Sequence, residues 1–326
     1  MMSLRLVQAA TRYRCCHTRR TTTTTRAMSP VVDSHLHVWA GKEETASFPY
    51  EPGREPPESL AASTDHLLKT MDLCKVDKAM IVQPINHLYD HRYVSAALRS
   101  HLQRLRGMLL ANPTATPEEA VLELKRLVSD EGFSGVRFNP YLWPVNEEGL
   151  GTMNDEVGRA LFDACGTLSL PVGFMFFQGI LHRLGGEPAP THADDAVALM
   201  ESFPDTKVIF DHFGFTNKFE SPEAWRRLLQ ICDAFPQVYV KVSAPFRVSK
   251  NGYPYDDIFA QQLNELLRVV GAERLMIGSD FPFVQEQEGG YASHISRELL
   301  AKVNGITESD VNAIMGGTAD KLFFKV

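Results

Sequence analysis

Eight short apolar runs of β-type composition alternate with eight runs of helical period, and each strand-like run is followed by a helix-like one. The strand-like runs are Val31 to Val38, Lys78 to Gln83, Arg106 to Ala111, Phe133 to Asn139, Pro171 to Phe177, Thr206 to His212, Val238 to Ser243 and Arg274 to Asp280. No hairpin signature joins any two of them, so neighbouring strands must be linked by helical crossovers, which makes the sheet parallel. That pattern predicts an α/β fold, a (β/α)8 TIM barrel in one domain, with a doubly wound open sheet as the competing arrangement. Connections from helix to strand are tight, as at Phe203-Pro204-Asp205 and Gly271-Ala272-Glu273, whereas several from strand to helix are long. In a parallel barrel the long connections open on the C-terminal face, where active sites are built.

At 326 residues the chain suits one such barrel plus a leader. Residues 1–28 contain Arg5, Arg12, Arg14, Arg19, Arg20 and Arg26, no acid, and a run of threonines from Thr21 to Thr25. This is the composition of an organellar transit peptide, plastid first and mitochondrion second, although a disordered basic tail shares it. The barrel is then expected over residues 29–326. Setting the six leader arginines aside takes the formal charge from −7 to −13, which disfavours nucleic acid and anionic membrane as partners. No apolar run approaches the roughly 20 residues needed to span a bilayer. The five cysteines form no paired framework, consistent with a reducing compartment. A small molecule is the expected partner, and self-association into a homo-oligomer is compatible with such a chain.

The polar residues of the strands collect at their C-terminal ends. The first carries Asp33-Ser34-His35-Leu36-His37, the sixth ends in Asp211-His212, and the eighth ends in Ser279-Asp280. On a strand, His35 and His37 face the same way, with Asp33 one layer deeper. Two such imidazoles are half of a metal site or part of a polar catalytic cluster. Arg137 lies inside the fourth strand and needs an anionic partner, either a substrate carboxylate or a loop acid. Lys241 on the seventh strand has the same two readings. Gln83, Asn86 and Tyr141 follow strands two and four and can line a pocket. His87, His91, His182 and His192 are expected on exposed loops or helices.

Asp33-Ser34-His35-Leu36-His37, Val136-Arg137-Phe138, Asp211-His212 and Gly278-Ser279-Asp280-Phe281-Pro282-Phe283 together resemble the amidohydrolase superfamily. The likeness extends from about residue 30 to 325, including Met315-Gly316-Gly317, and is nearest to the branch of 2-pyrone-4,6-dicarboxylate and sugar-acid lactonases. It implies that His35, His37 and His212 polarise substrate or hold metal, and that Asp280 is the general base. It implies hydrolysis of a small carboxylated lactone or cyclic ester, with Arg137 as carboxylate clamp. One divalent metal, zinc or manganese, on His35, His37 and Asp280 is one expectation and a metal-free site the other. The chain departs from metal-dependent relatives on strand five, where Met175 cannot replace an imidazole. A metal-dependent decarboxylase and a non-catalytic metabolite-binding barrel are the alternatives.

Overall fold

The computed structural model describes residues 29–144, 152–176, 182–184, 187–189 and 191–324. The proposed leader, Cys15 and Cys16 among it, lies outside them. The strands are β1 (Val32–Leu36), β2 (Lys78–Val82), β3 (Leu105–Leu110), β4 (Phe133–Phe138), β5 (Val172–Phe174), β6 (His182–Leu184), β7 (Glu187–Ala189), β8 (Val208–Phe210), β9 (Val238–Ser243) and β10 (Leu275–Gly278). Eight of them form one parallel sheet in the order β1-β2-β3-β4-β5-β8-β9-β10. The sheet closes where Leu36 bridges Phe281, with Asp280 N–H donating to the His35 carbonyl at 2.8 Å and His37 N–H to the Phe281 carbonyl at 2.7 Å. This is the TIM barrel that the strand and helix alternation predicts.

Alternation along each strand divides the core in two. Val32, Met80, Val82, Met108, Ile209 and Met276 pack inside the barrel with Ala319 and Phe323, while residues such as Ala79, Ile81, Leu109 and Val136 pack outward against the helices. Helix starts follow their sequence signals: Thr116 and Glu119 form a reciprocal capping box ahead of Pro117.

Three elements differ from the sequence reading. Strands β6 and β7 pair antiparallel inside the long connection after β5; the sequence between them is Gly185-Gly186, a two-residue hairpin signal that the strand-and-helix alternation did not take into account. The run Tyr255 to Val270 divides into a π-helical turn over Asp257–Gln262 and an α-helix over Leu263–Val270. The final run, read as one helix from Glu308 to Phe323, is an α-helix over Glu308–Asn312 followed by π-helical turns over Ala313–Gly317 and Asp320–Phe324. No described helix is long and apolar enough to cross a membrane.

Gly316 explains the glycine pair in that last segment. A Cβ there would lie 1.8 Å from the Pro30 carbonyl oxygen, because the segment presses against the chain entering β1. Gly316→Ala is therefore expected to cost about 1–3 kcal/mol or more through overpacking against backbone that cannot move aside. Urea unfolding checks this, and an unchanged midpoint would contradict the close approach.

Candidate active site

Barrel closure itself assembles the centre of the site. Asp33 is fully buried below it, accepting from the Ser279 N–H at 2.9 Å, the Ser279 hydroxyl at 2.5 Å and the His35 N–H at 3.1 Å. Burial pushes the Asp33 carboxyl up to about 6, although these hydrogen bonds oppose the shift. The staple sets β1 and β10 in register, so His35, His37 and Asp280 emerge together.

Asp280 is buried amid three imidazoles and a guanidinium. Its Oδ1 lies 3.5 Å from His37 Nε2, 3.8 Å from His35 Nε2 and 4.0 Å from His212 Nε2, and its Oδ2 accepts from Arg247 Nε at 2.5 Å. Burial works to raise the Asp280 carboxyl, but His212, His37 and Arg247 outweigh it and hold the group well below the usual carboxylate range. Burial lowers His212 to about 3 despite Asp280 and Asp211 nearby, so its ring is neutral at pH 7.

The strand ends that present these groups are conformationally costly. His212, Phe213, Gly214 and Phe215 are four consecutive residues with φ between 50° and 62°, and Ala244 (φ 45°) and Asp280 (φ 62°) share that left-handed region. Non-glycine residues occupy it at a cost of order 1–3 kcal/mol each, and such residues concentrate at functional sites. Here the turn after Asp211 swings His212 over the barrel mouth, where Ser243 Oγ lies 2.7 Å from its Nδ1.

One layer down is a buried ion cluster. Asp211 is fully buried, with Lys241 Nζ 3.0 Å from its Oδ1 and Arg137 Nη2 3.1 Å from its Oδ2. His35 Nδ1 lies 3.2 Å from the same Oδ1 and 3.0 Å from Lys241 Nζ. Burial disfavours the Asp211 carboxylate, yet Lys241, His35 and Arg137 together hold it well below its ordinary range. Burial likewise lowers His35 well below the usual imidazole value, with Lys241 adding to the shift.

The mouth above Asp280 is a cavity of about 250 Å³. Its wall includes His37, Gln83, Asn86, Arg137, Tyr141 and His212 from the sequence reading, together with Arg247, Phe215, Met175 and Phe283, which that reading did not select. Gln83 and Asn86 also brace loops: Gln83 Nε2 donates to the Leu88 and Asp90 carbonyls, and Asn86 Nδ2 to that of Arg54. Lys241 is not in this wall; its burial under His35 corrects the reading of it as a substrate contact. His87 and His91, expected to be exposed, are buried, because loop and helix backbone close over them: His87 Nε2 accepts from the Ala40 N–H, and His91 Nε2 from the Leu110 N–H. His182 lies where only backbone is described. Arg247 stood four residues beyond the last strand residue, Ser243, so only its position after a strand end signalled it.

The donor set fits a divalent metal. His35, His37 and Asp280 each offer one ligand atom, all within 4.8 Å of one another. His37 Nδ1 donates to the Val82 carbonyl at 2.9 Å, which leaves its Nε2 bare, and His35 Nε2 is buried without a hydrogen-bond partner. Three ligands with an open fourth position suffice for a catalytic zinc.

Comparison with known proteins gives four relevant likenesses. A family model described as amidohydrolase matches residues 32–325. The 4-sulfomuconolactone hydrolase of Rhizobium radiobacter is 28% identical over 260 residues, 77% of this chain and 75% of that protein. A Pseudomonas putida structure assigned as a 2-pyrone-4,6-dicarboxylic acid hydrolase superposes with a TM-score of 0.68 at 23% identity, covering 91% of this chain and 97% of that one. An amidohydrolase from Burkholderia multivorans with bound zinc superposes with a TM-score of 0.66 at 16% identity, covering 91% and 100%.

Proposed function

The chain belongs to the amidohydrolase family, and from that premise and the geometry of its barrel mouth we propose that it hydrolyses a small anionic lactone. The observation that carries the reading is a buried carboxylate, Asp280, set within 4.0 Å of three imidazole nitrogens at the floor of a cavity whose wall holds two arginines. The similarity to 4-sulfomuconolactone hydrolases supports a lactone bearing an anionic group.

In this reading the substrate carbonyl lies against His35 and His212, whose ring N–H groups stabilise the developing oxyanion, while His37, its Nδ1–H held by the Val82 carbonyl, offers its bare Nε2 to the attacking water. Asp280 takes a proton from water, the hydroxide adds to the carbonyl carbon, and the ring C–O bond breaks as Asp280 returns the proton to the departing alkoxide. Arg137, at the cavity wall, and Arg247, at the rim, receive the anionic substituent. The second of these has a consequence for the base. While Arg247 pairs with Asp280 it stabilises the ionised carboxylate and makes it a weaker base; an anionic substrate draws the guanidinium away and raises the basicity at the moment it is used. A divalent metal, zinc or manganese, held by His35, His37 and Asp280 would supply Lewis-acid polarisation and a more acidic water.

The test is turnover of five- and six-membered lactones bearing a carboxylate or sulfonate, followed by acid release; no hydrolysis of any of them sinks the reading. Arg247→Met is expected to lower kcat/KM for an anionic lactone by about 10–100-fold, the worth of a charge-assisted hydrogen bond. The uncharged lactone of the same ring, which leaves Arg247 on Asp280, should lose nothing or turn over faster, and equal losses on both would remove Arg247 from anion recognition. The transit-peptide composition of residues 1–28 supports delivery to an organelle, plastid before mitochondrion, which import of a fluorescent fusion to that segment would test.

A further inference from the structure

We propose that Lys241 is a positioning residue that keeps the His35 proton on Nε2, so that His35 faces Asp280 at the cavity floor as a hydrogen-bond donor and the His35, His37 and Asp280 set holds a divalent metal only weakly. The inference deepens the reading of this site as hydrolytic and concerns how its polarising groups are prepared.

An ammonium group has three donors and no acceptor. Lys241 Nζ stands 3.0 Å from His35 Nδ1 with both side chains fully buried, so a proton on Nδ1 would confront the ammonium protons with no water to relieve it. Nδ1 therefore accepts from Lys241, and a neutral ring with Nδ1 bare carries its proton on Nε2. The His35 Nε2 proton then points toward Asp280, whose Oδ1 at 3.8 Å is too far to take it up, so it stands behind the carboxylate that lines the cavity.

His37, two residues along the same strand, is fixed the other way round. Its Nδ1 faces the Val82 carbonyl, which only accepts, so its Nε2 is bare. The two histidines thus present opposite hydrogen-bonding groups to one carboxylate: a donor from His35 and an acceptor from His37. A metal ligand must be the bare nitrogen, so metal binding requires the His35 proton to move to Nδ1. Asp211 Oδ1, 3.2 Å from Nδ1, is placed to accept it, but Lys241 occupies both partners. Lys241 thereby selects hydrogen-bond polarisation of the substrate, and its loss would free Asp211 to form the carboxylate–histidine relay that suits a metal ligand.

The experiment uses metal-stripped protein with 15N-labelled histidine, whose two-bond 1H–15N correlations distinguish protonated from bare ring nitrogens. His35 is assigned by difference against His35→Gln. The wild type is expected to show His35 with bare Nδ1 and protonated Nε2, and Lys241→Met to show the reverse. Zn²⁺ affinity, measured by chelator competition at fixed pH, is expected to be about tenfold tighter in Lys241→Met, the scale on which groups behind a ligand tune it. A residue that merely supported the fold would give unchanged or weaker zinc binding on removal. A protonated Nδ1 in the wild type overturns the inference, as does zinc binding that is unchanged or weaker in a folded Lys241→Met. If that variant does not fold, the wild-type spectrum decides alone. Neither measurement uses turnover, so failure of the lactonase reading would be seen separately in the lactone assay.

Discussion

Asp280→Asn is expected to lower kcat by about 10²–10⁴-fold, the contribution typical of a positioned general acid–base group, while leaving the barrel folded. The substitution keeps the shape of the side chain and removes only its charge and basicity. No cation is stranded by the change, because Arg247 is one-third exposed and can turn to water. The effect on pH dependence has a definite sign. The folded-state pKa of Asp280 is depressed, so its charge contributes stability above the unfolded carboxyl value, and that contribution is lost as pH falls toward the folded value. The Asn variant should therefore lose less stability than wild type on acidification below about pH 4. In the free protein Asp280 stays ionised across the neutral range, so an acidic limb of kcat/KM near pH 6 would have to come from another group. Lactone turnover and thermal melts followed by circular dichroism read these outcomes together. Residual activity within about tenfold of wild type would remove Asp280 from the role of base.

How much of this arrangement could be read in advance depends on how local its causes are. The parallel barrel was legible because alternation and period are properties of a few adjacent residues, and because each strand end carries its chemistry in contiguous motifs such as His35-Leu36-His37 and Ser279-Asp280. The left-handed turn at His212 to Phe215 was not, since only Gly214 in it signals a positive φ. Arg247 escaped because its reach to Asp280 depends on how the segment after β9 folds back, a tertiary fact with no periodic signature. The burial of His87 and His91 comes from distant backbone groups that seek their ring nitrogens as acceptors. Lys241 is the most instructive case. A lysine in a strand looks like a substrate contact or a salt bridge with equal ease, and only the depth of β9 relative to the cavity floor places its ammonium beneath His35. The sequence marks the residue as unusual, and the third dimension decides what it does.

The second large effect follows from that depth. Asp211→Ala is expected to destabilise the fold by about 3–5 kcal/mol, the cost of breaking a buried ion pair by removing one partner. Lys241 is fully buried and Arg137 nearly so, and Asp211 is the carboxylate that both of them contact. Without it two cations remain in a low-dielectric interior with neutral His35 between Lys241 and the cavity. The reverse change is milder: Lys241→Met leaves Asp211 still paired with Arg137 and within reach of His35 Nδ1. The asymmetry gives a sharper test than either variant alone. Combining Asp211→Ala with Lys241→Met removes one stranded cation, so the double variant should be more stable than Asp211→Ala alone, a coupling visible in a double-mutant cycle by urea unfolding. A loss below about 1 kcal/mol for Asp211→Ala, or strictly additive losses in the double variant, would show that water reaches the cluster and that its charges are not held in the dry interior the geometry describes.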